Sequence, residues 1–171
     1  LRRRGYAPDV YLVSRSSFEK TLLNYRNIKP PRPEHEQVRI GSELPTAMRR
    51  LKTLEQQGRE IAKVSATELM SLLLTSAVAM DSSDIHLQPE ANYISVRFRI
   101  DGVLREIARF HPAVYHSMVN RIKILSKLKI NITTIPQDGS FSVDAEGKRY
   151  EIRVSLLPST YGEAVVMRLL G

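Results

Sequence analysis

The sequence predicts an α+β domain in which helices flank a mostly antiparallel sheet. Ile94-Ser-Val-Arg-Phe-Arg-Ile-Asp101 and Tyr150-Glu-Ile-Arg-Val-Ser-Leu156 alternate apolar and polar residues, the period of a strand with one buried face. Gly102 and Glu146-Gly147 sit beside such runs as hairpin turns. Between the strands lie longer runs with apolar residues three and four apart, the spacing of helices with one face on a core.

In order along the chain, Asp9-Val-Tyr-Leu-Val13 is a short run of β-formers, and Ser16 or Ser17 is a natural helix N-cap. Phe18, Leu22 and Tyr25 then fall at helical spacing, so residues 1–28 read as a strand leading into a helix. Pro30, Pro31 and Pro33 within Ile28–Gln37 block helix and central-strand pairing and leave an extended linker, which marks a domain boundary. A connecting helix over Leu44–Ile61 carries Ala47, Leu51 and Leu54 on one face and breaks at Gly58; linker and helix together occupy 29–64. The main domain, 65–171, opens on Ser65-Ala-Thr-Glu68, a capping box in which the serine oxygen accepts a backbone N–H and the glutamate reaches back. Leu69, Leu72, Leu73, Ser76, Ala77 and Met80 make the following helix largely buried. Asp84-Ile-His-Leu87 is a short strand ended by Pro89, Tyr93–Asp101 is the next, and Val103-Leu-Arg-Glu-Ile107 returns beside it. A helix from Pro112 to Lys129 has Val114, Met118, Ile122, Leu125 and Leu128 along one side, with Arg121, Lys123, Lys127 and Lys129 elsewhere. Pro136-Gln-Asp-Gly139 reads as a turn and Phe141–Val143 as a strand, and Tyr150–Leu156 and Ala164–Leu170 complete the sheet.

Bulk composition narrows the function classes. With 26 Lys and Arg against 18 Asp and Glu the formal charge is +8, which favours anionic partners. Cysteine is absent, so disulfide and thiolate chemistry are excluded. No apolar run approaches the roughly 20 residues needed to span a bilayer. The chain begins without Met and stops directly after the apolar run at Met167–Leu170, so a segment of a longer protein is expected.

Arg97 and Arg99 are the residues that most invite a chemical role. Alternate side chains on one strand face lie about 7 Å apart, a distance suited to straddling a phosphate or several carboxylates, and Arg153 joins them if its strand neighbours theirs. Guanidinium offers phosphate a planar fork of donors that lysine cannot reproduce. The plainer reading is that the polar face of an antiparallel sheet is simply solvated. Asp84 and His86 also share a face; a metal site or acid/base couple needs further ligands, and no HExxH or His-Cys cluster supplies them, so an aspartate orienting a structural histidine is the simpler reading and no metal is assigned. His111 and His116, five apart, share no helical face and receive no role. None of the eight glycines opens GxxxxGK[ST] or GxGxxG, and there is no GxSxG, so no catalytic residue is assigned in this segment. Nucleic acid is not an expected partner, because the basic residues are scattered and no aromatic-rich recognition motif accompanies them.

Four blocks, Ser83-Asp-Ile-His-Leu-Gln-Pro89, Val96–Arg105, Pro136-Gln-Asp-Gly139 and Arg153–Leu170, occur in an order that resembles the N-terminal, pre-motor region of the type II secretion and type IV pilus assembly ATPases. The resemblance covers roughly Ser65 to the end; residues 1–28 resemble only loosely the tail of a preceding adaptor domain. It implies a PAS-like fold preceding a RecA-like motor that is absent from this chain, within a homo-hexameric ATPase using ATP and Mg2+ for protein transport or pilus biogenesis. It further implies that this domain closes over ATP bound to the motor of the same or a neighbouring subunit, with Arg97, Arg99 and, more weakly, Arg153 contacting the phosphates. The segment alone is then expected to bind no cofactor. Cytoplasmic location, peripheral to the bacterial inner membrane through a platform or adaptor protein, is implied as well. Departures are Ser140 where an arginine commonly follows the glycine, Thr133-Thr-Ile135 where a basic residue often stands, and Gln88 in place of glutamate, and a divergent branch such as a type IVb pilus member would fit them. An alternative role is an interaction module docking on the platform or adaptor, with Lys123 and Lys127 of the Pro112–Lys129 helix facing an acidic partner.

Overall fold

Six alternating runs pair into one antiparallel sheet in the computed structural model, which describes residues 13–20, 44–56, 58–145 and 147–171. The chain divides into two compact units, Leu1–Glu34 and His35–Gly171. In the first, residues 15–20 are helical, and Ser14 rather than Ser16 or Ser17 caps them, its Oγ accepting the Ser17 N–H at 3.2 Å. Most of the strand expected at Asp9–Val13, the Leu22 and Tyr25 positions and the proline linker lie outside the described residues.

The second unit begins with α1 (Leu44–Gln56), whose Ala47, Leu51 and Leu54 are buried at the spacing the sequence shows. Gly58, at φ +54°, turns the chain into a 3-10 segment, Gly58–Lys63, that buries Ile61. α2 (Ala66–Ala79) starts at Ser65, whose side chain accepts the Glu68 N–H at 3.0 Å. The Glu68 carboxylate does not complete the capping box; it takes a bond from Arg50 Nη2 at 3.2 Å, tying α1 to α2. Burial on most sides of α2 follows from its sequence: Leu69, Met70, Leu73, Leu74 and Ala77 have no exposed surface. Each such large side chain contributes about 1.5–3 kcal/mol by leaving water.

The strands are β1 (Asp84–Pro89), β2 (Ile94–Ile100), β3 (Val103–Phe110), β4 (Gln137–Ala145), β5 (Lys148–Ser159) and β6 (Gly162–Leu170), in sheet order β3-β2-β1-β6-β5-β4. Two three-stranded meanders are therefore joined edge to edge by β1 and β6. Asp101 at φ +51° and Gly102 at φ +77° form the two-residue turn between β2 and β3, the primed geometry that matches strand twist. A register shift between Val96 and Arg97 marks a bulge against β3, which also runs three residues past its expected end at Ile107.

Between the meanders, a 3-10 turn at Pro112–Val114 leads into α3 (Tyr115–Leu125). This helix is shorter than the sequence suggests. Lys127 adopts φ +58°, and the Leu128 and Lys127 N–H groups return to the Lys123 and Ile124 carbonyls at 2.8 and 3.2 Å, a left-handed closure that ends the helix before Leu128 and Lys129. The expected turn at Pro136–Gly139 is likewise replaced: β4 already begins at Gln137 and pairs with β5 from Leu156 onward. Gly139 serves a close approach rather than a bend. A Cβ there would stand 2.6 Å from the Ser126 carbonyl oxygen and 2.9 Å from Leu128 Cδ2, so only glycine lets the end of α3 lie on β4. Gly139→Ala is expected to lower stability by about 1–3 kcal/mol, read as a reduced urea midpoint with unchanged slope.

Ile85, Leu87, Val96, Phe98, Ile152, Val154, Leu156, Val165 and Met167 point from the sheet into one core with α1, α2 and α3. Because side chains alternate across a strand, the opposite face carries Asp84, His86, Arg97, Arg99, Arg153 and Arg168.

Candidate functional site

The register of the four central strands builds that face. Arg99 on β2, Asp84 on β1, Arg168 on β6 and Arg153 on β5 stand opposite one another in a single row across the sheet. In the next row Arg97 stands opposite His86, which stands opposite Val166. Arg97 and Arg99 therefore share one face, as the alternation predicts. Arg153 lies on the same face but does not neighbour them: β1 and β6 intervene, and three strand spacings put it about 14 Å from Arg99. The position between is filled by Arg168, which alternation along its own strand does not single out.

Asp84 organises the row. It is 3% exposed and accepts from Arg168 Nε at 2.8 Å and from Ser83 Oγ at 2.8 Å, with Arg99 Nε at 3.2 Å. Burial alone would raise its pKa, but the Arg168 and Ser83 hydrogen bonds and the two guanidinium charges outweigh burial and hold it below the usual carboxylate value. Its partners are thus two arginines, not His86, which corrects the expectation of an aspartate orienting a histidine. A buried carboxylate with this environment fixes two guanidiniums in place, while much of each side chain stays in solvent, 63% for Arg168 and 37% for Arg99. Arg99 also donates to the Gly102 carbonyl at 3.1 Å.

Arg97 differs from both. Its Nε is buried and has no hydrogen-bond partner, although Glu106 stands opposite on β3. That carboxylate is engaged by Ser95 Oγ at 3.0 Å and Arg109 Nε at 2.7 Å. A buried guanidinium N–H without an acceptor is costly and rare in a settled structure; this Nε is closed to solvent, so an anion would meet the terminal nitrogens of the half-buried side chain. Arg153 is the most solvated, its side chain 68% exposed and 3.9 Å from Glu151.

His86, half-buried among these groups, is pushed below its ordinary pKa first by burial and then by the charges of Arg97, Arg99 and Arg168, with Asp84 acting in the opposite sense. Among the described residues no group of three His, Asp or Glu is placed to hold a metal ion. Nor is any described helix long and apolar enough to cross a membrane.

The basic helix expected to face an acidic partner is not built that way. Lys123 is completely buried and donates from Nζ to Glu163 Oε2 at 2.7 Å and to the Ile132 carbonyl at 2.7 Å. Lys127 alone of the two is exposed. No sequence period signals this, because Lys123 follows buried Ile122 and its acceptor lies forty residues downstream in chain order. His111, left without a role, accepts the Ala113 N–H at the start of the Pro112 turn, and His116 bonds Asn120 at 3.0 Å.

The type II secretion system protein E of Pectobacterium carotovorum subsp. carotovorum is 45% identical over 102 residues, which are 60% of this chain and 20% of that protein. The type IV pilus assembly ATPase PilB of Myxococcus xanthus is 30% identical over 167 residues, 97% of this chain and 30% of that protein. Among solved structures, that of the pilus retraction motor PilT with bound ADP superposes with a TM-score of 0.43 at 21% identity, over 58% of this chain and 28% of the other. The chain thus spans between a fifth and a third of the length of these curated relatives. The family model described as type II/IV secretion system protein matches residues 59–171, the segment that holds the sheet and its arginine face, and the chain belongs to that family.

Proposed function

We propose that this chain is the non-motor, N-terminal part of a hexameric ATPase that powers type IV pilus assembly or type II secretion, and that its arginine face closes over ATP carried with Mg2+ by a RecA-like motor. The two-unit reading of the sequence, an adaptor-like tail at 1–28 and a linker through 64 before the PAS-like domain, belongs to the same proposal. The observation that carries it is the set Arg97, Arg99 and Arg168, three guanidiniums on one sheet face, two of which, Arg99 and Arg168, are held by the single carboxylate of Asp84.

The chemistry is that of a charge clamp delivered by domain closure. ATP supplies a phosphoryl group whose transfer spreads negative charge over its oxygens, and preorganised guanidiniums stabilise that charge without reorganising when it develops. Asp84 does the preorganising for Arg99 and Arg168; Arg97 brings the terminal nitrogens of its half-buried side chain. Arg153, one strand beyond Arg168, extends the face toward the more distant end of a triphosphate or toward the motor surface itself. The alternative of a docking module without nucleotide contact loses its main support in the burial of Lys123.

A structure of the full-length protein with a non-hydrolysable ATP analogue tests this. The expected result is Arg97 within hydrogen-bonding distance of a phosphate oxygen in at least one closed subunit. An arginine face turned to solvent in every nucleotide-filled subunit would refute it.

A further inference from the structure

His86 lies at the centre of the arginine face yet, among the described residues, has no hydrogen-bond partner on its ring. The groups around it come from three strands. Asp84 and Gln88 flank it on β1, Arg97 stands opposite and Arg99 diagonally on β2, and Arg168 lies diagonally on β6 beside the directly opposed Val166. Glu106 on β3, beyond Arg97, is engaged by Ser95 and Arg109, and Arg153 is a strand further out on β5. Gln88 turns its amide to Ser159 Oγ at 3.2 Å. Three guanidiniums less one carboxylate leave two positive charges around a neutral ring.

We propose that His86 is a further ligand of the anion site, taking up a proton from solvent when a phosphate group settles among Arg97, Arg99 and Arg168. Anion binding at this face is then coupled to protonation. The inference rests on the reading of the arginine face given above and adds a residue and a pH dependence to it. The geometry supports it in two ways. A neutral imidazole presents one N–H donor and one bare nitrogen, whereas the protonated ring presents two donors, so an anion beside it selects the charged form. In the free protein burial and three guanidiniums disfavour that form, and a doubly charged anion cancels the guanidinium repulsion. The sign is fixed: the pKa is depressed without anion and raised with it, so affinity grows as pH falls through the interval between the two values.

Sulfate is a suitable probe on the 171-residue chain, since it is tetrahedral and divalent throughout pH 5.5–7.5. Imidazole resonances of the four histidines report each pKa with and without saturating sulfate, and the same titrations give Kd at both ends of the range. His86 is expected to rise in pKa on binding while His111 and His116 do not. Kd tightens toward low pH by as much as about tenfold for each unit of that rise. His86→Gln is expected to bind sulfate more weakly than the parent chain at pH 5.5 and to lose the pH dependence, and Arg97→Ala to bind more weakly at both pH values. Arg97-dependent binding that leaves the His86 pKa unmoved overturns this inference and leaves the arginine face standing. Sulfate binding that ignores Arg97 at both pH values, or no binding, overturns both.

Discussion

Lys123→Ala is expected to lower the free energy of unfolding by about 3–5 kcal/mol, because it strands a buried carboxylate and opens a cavity at once. Lys123 Nζ is the shared donor for Glu163 on β6 and for the Ile132 carbonyl in the loop after α3. Glu163 Oε1 is already buried without a partner, so removing the lysine leaves both oxygens of that carboxylate unsatisfied in the protein interior. The loss extends to the loop. Gln137 grips the Lys129 N–H and carbonyl at 3.0 Å and the Ile132 carbonyl at 2.8 Å, so the lysine and the glutamine together fix residues 129–132 against β4 and β6. Lys123→Met combined with Glu163→Leu is expected to recover most of the loss, since an apolar pair of similar volume removes the stranded charge. Urea unfolding of the two variants checks this. A loss under about 1 kcal/mol for Lys123→Ala would place the carboxylate within reach of water.

The parts of this fold that are local were legible. Ser65 caps α2, Asp101-Gly102 turns β2 into β3, and the periods of Ile94–Ile100 and Tyr150–Leu156 put Arg97, Arg99 and Arg153 on one face. Long-range pairing was not legible. β2 and β5 are each the middle strand of a meander and so cannot border each other, and β1 against β6 is a contact between segments some eighty residues apart. That pairing separates Arg153 from Arg99 and inserts Arg168, whose place in Val166-Met-Arg168 looks like ordinary alternation. It also gives Asp84 to two arginines. Gly139 misled for a different reason: glycine after Gln137-Asp138 has the composition of a turn, whereas the demand here comes from the Ser126 carbonyl above it. Lys123 misled because a lysine on an amphipathic helix is ordinarily solvated, and only the fold supplies Glu163.

Arg97→Ala, in the full-length protein, carries the largest functional effect. An arginine contributed to a transferring phosphoryl group can be worth 10³–10⁵ in turnover, and with Arg99 and Arg168 retaining part of the charge the expected loss is on the order of 10² in kcat. Stability should be untouched, since the Arg97 Nε forms no hydrogen bond whose loss could unfold the sheet. Asp84→Asn separates the two roles: it keeps Arg97 but loosens Arg99 and Arg168, so it should cost both stability and turnover. Arg97→Lys should recover only part of the rate, because an ammonium keeps the charge and lacks the planar fork. The decisive number is the ATPase turnover of full-length Arg97→Ala protein whose unfolding midpoint equals that of the parent. A fall of roughly a hundredfold is the outcome this account requires; turnover within about twofold of the parent would mean that the arginine face never meets the phosphates.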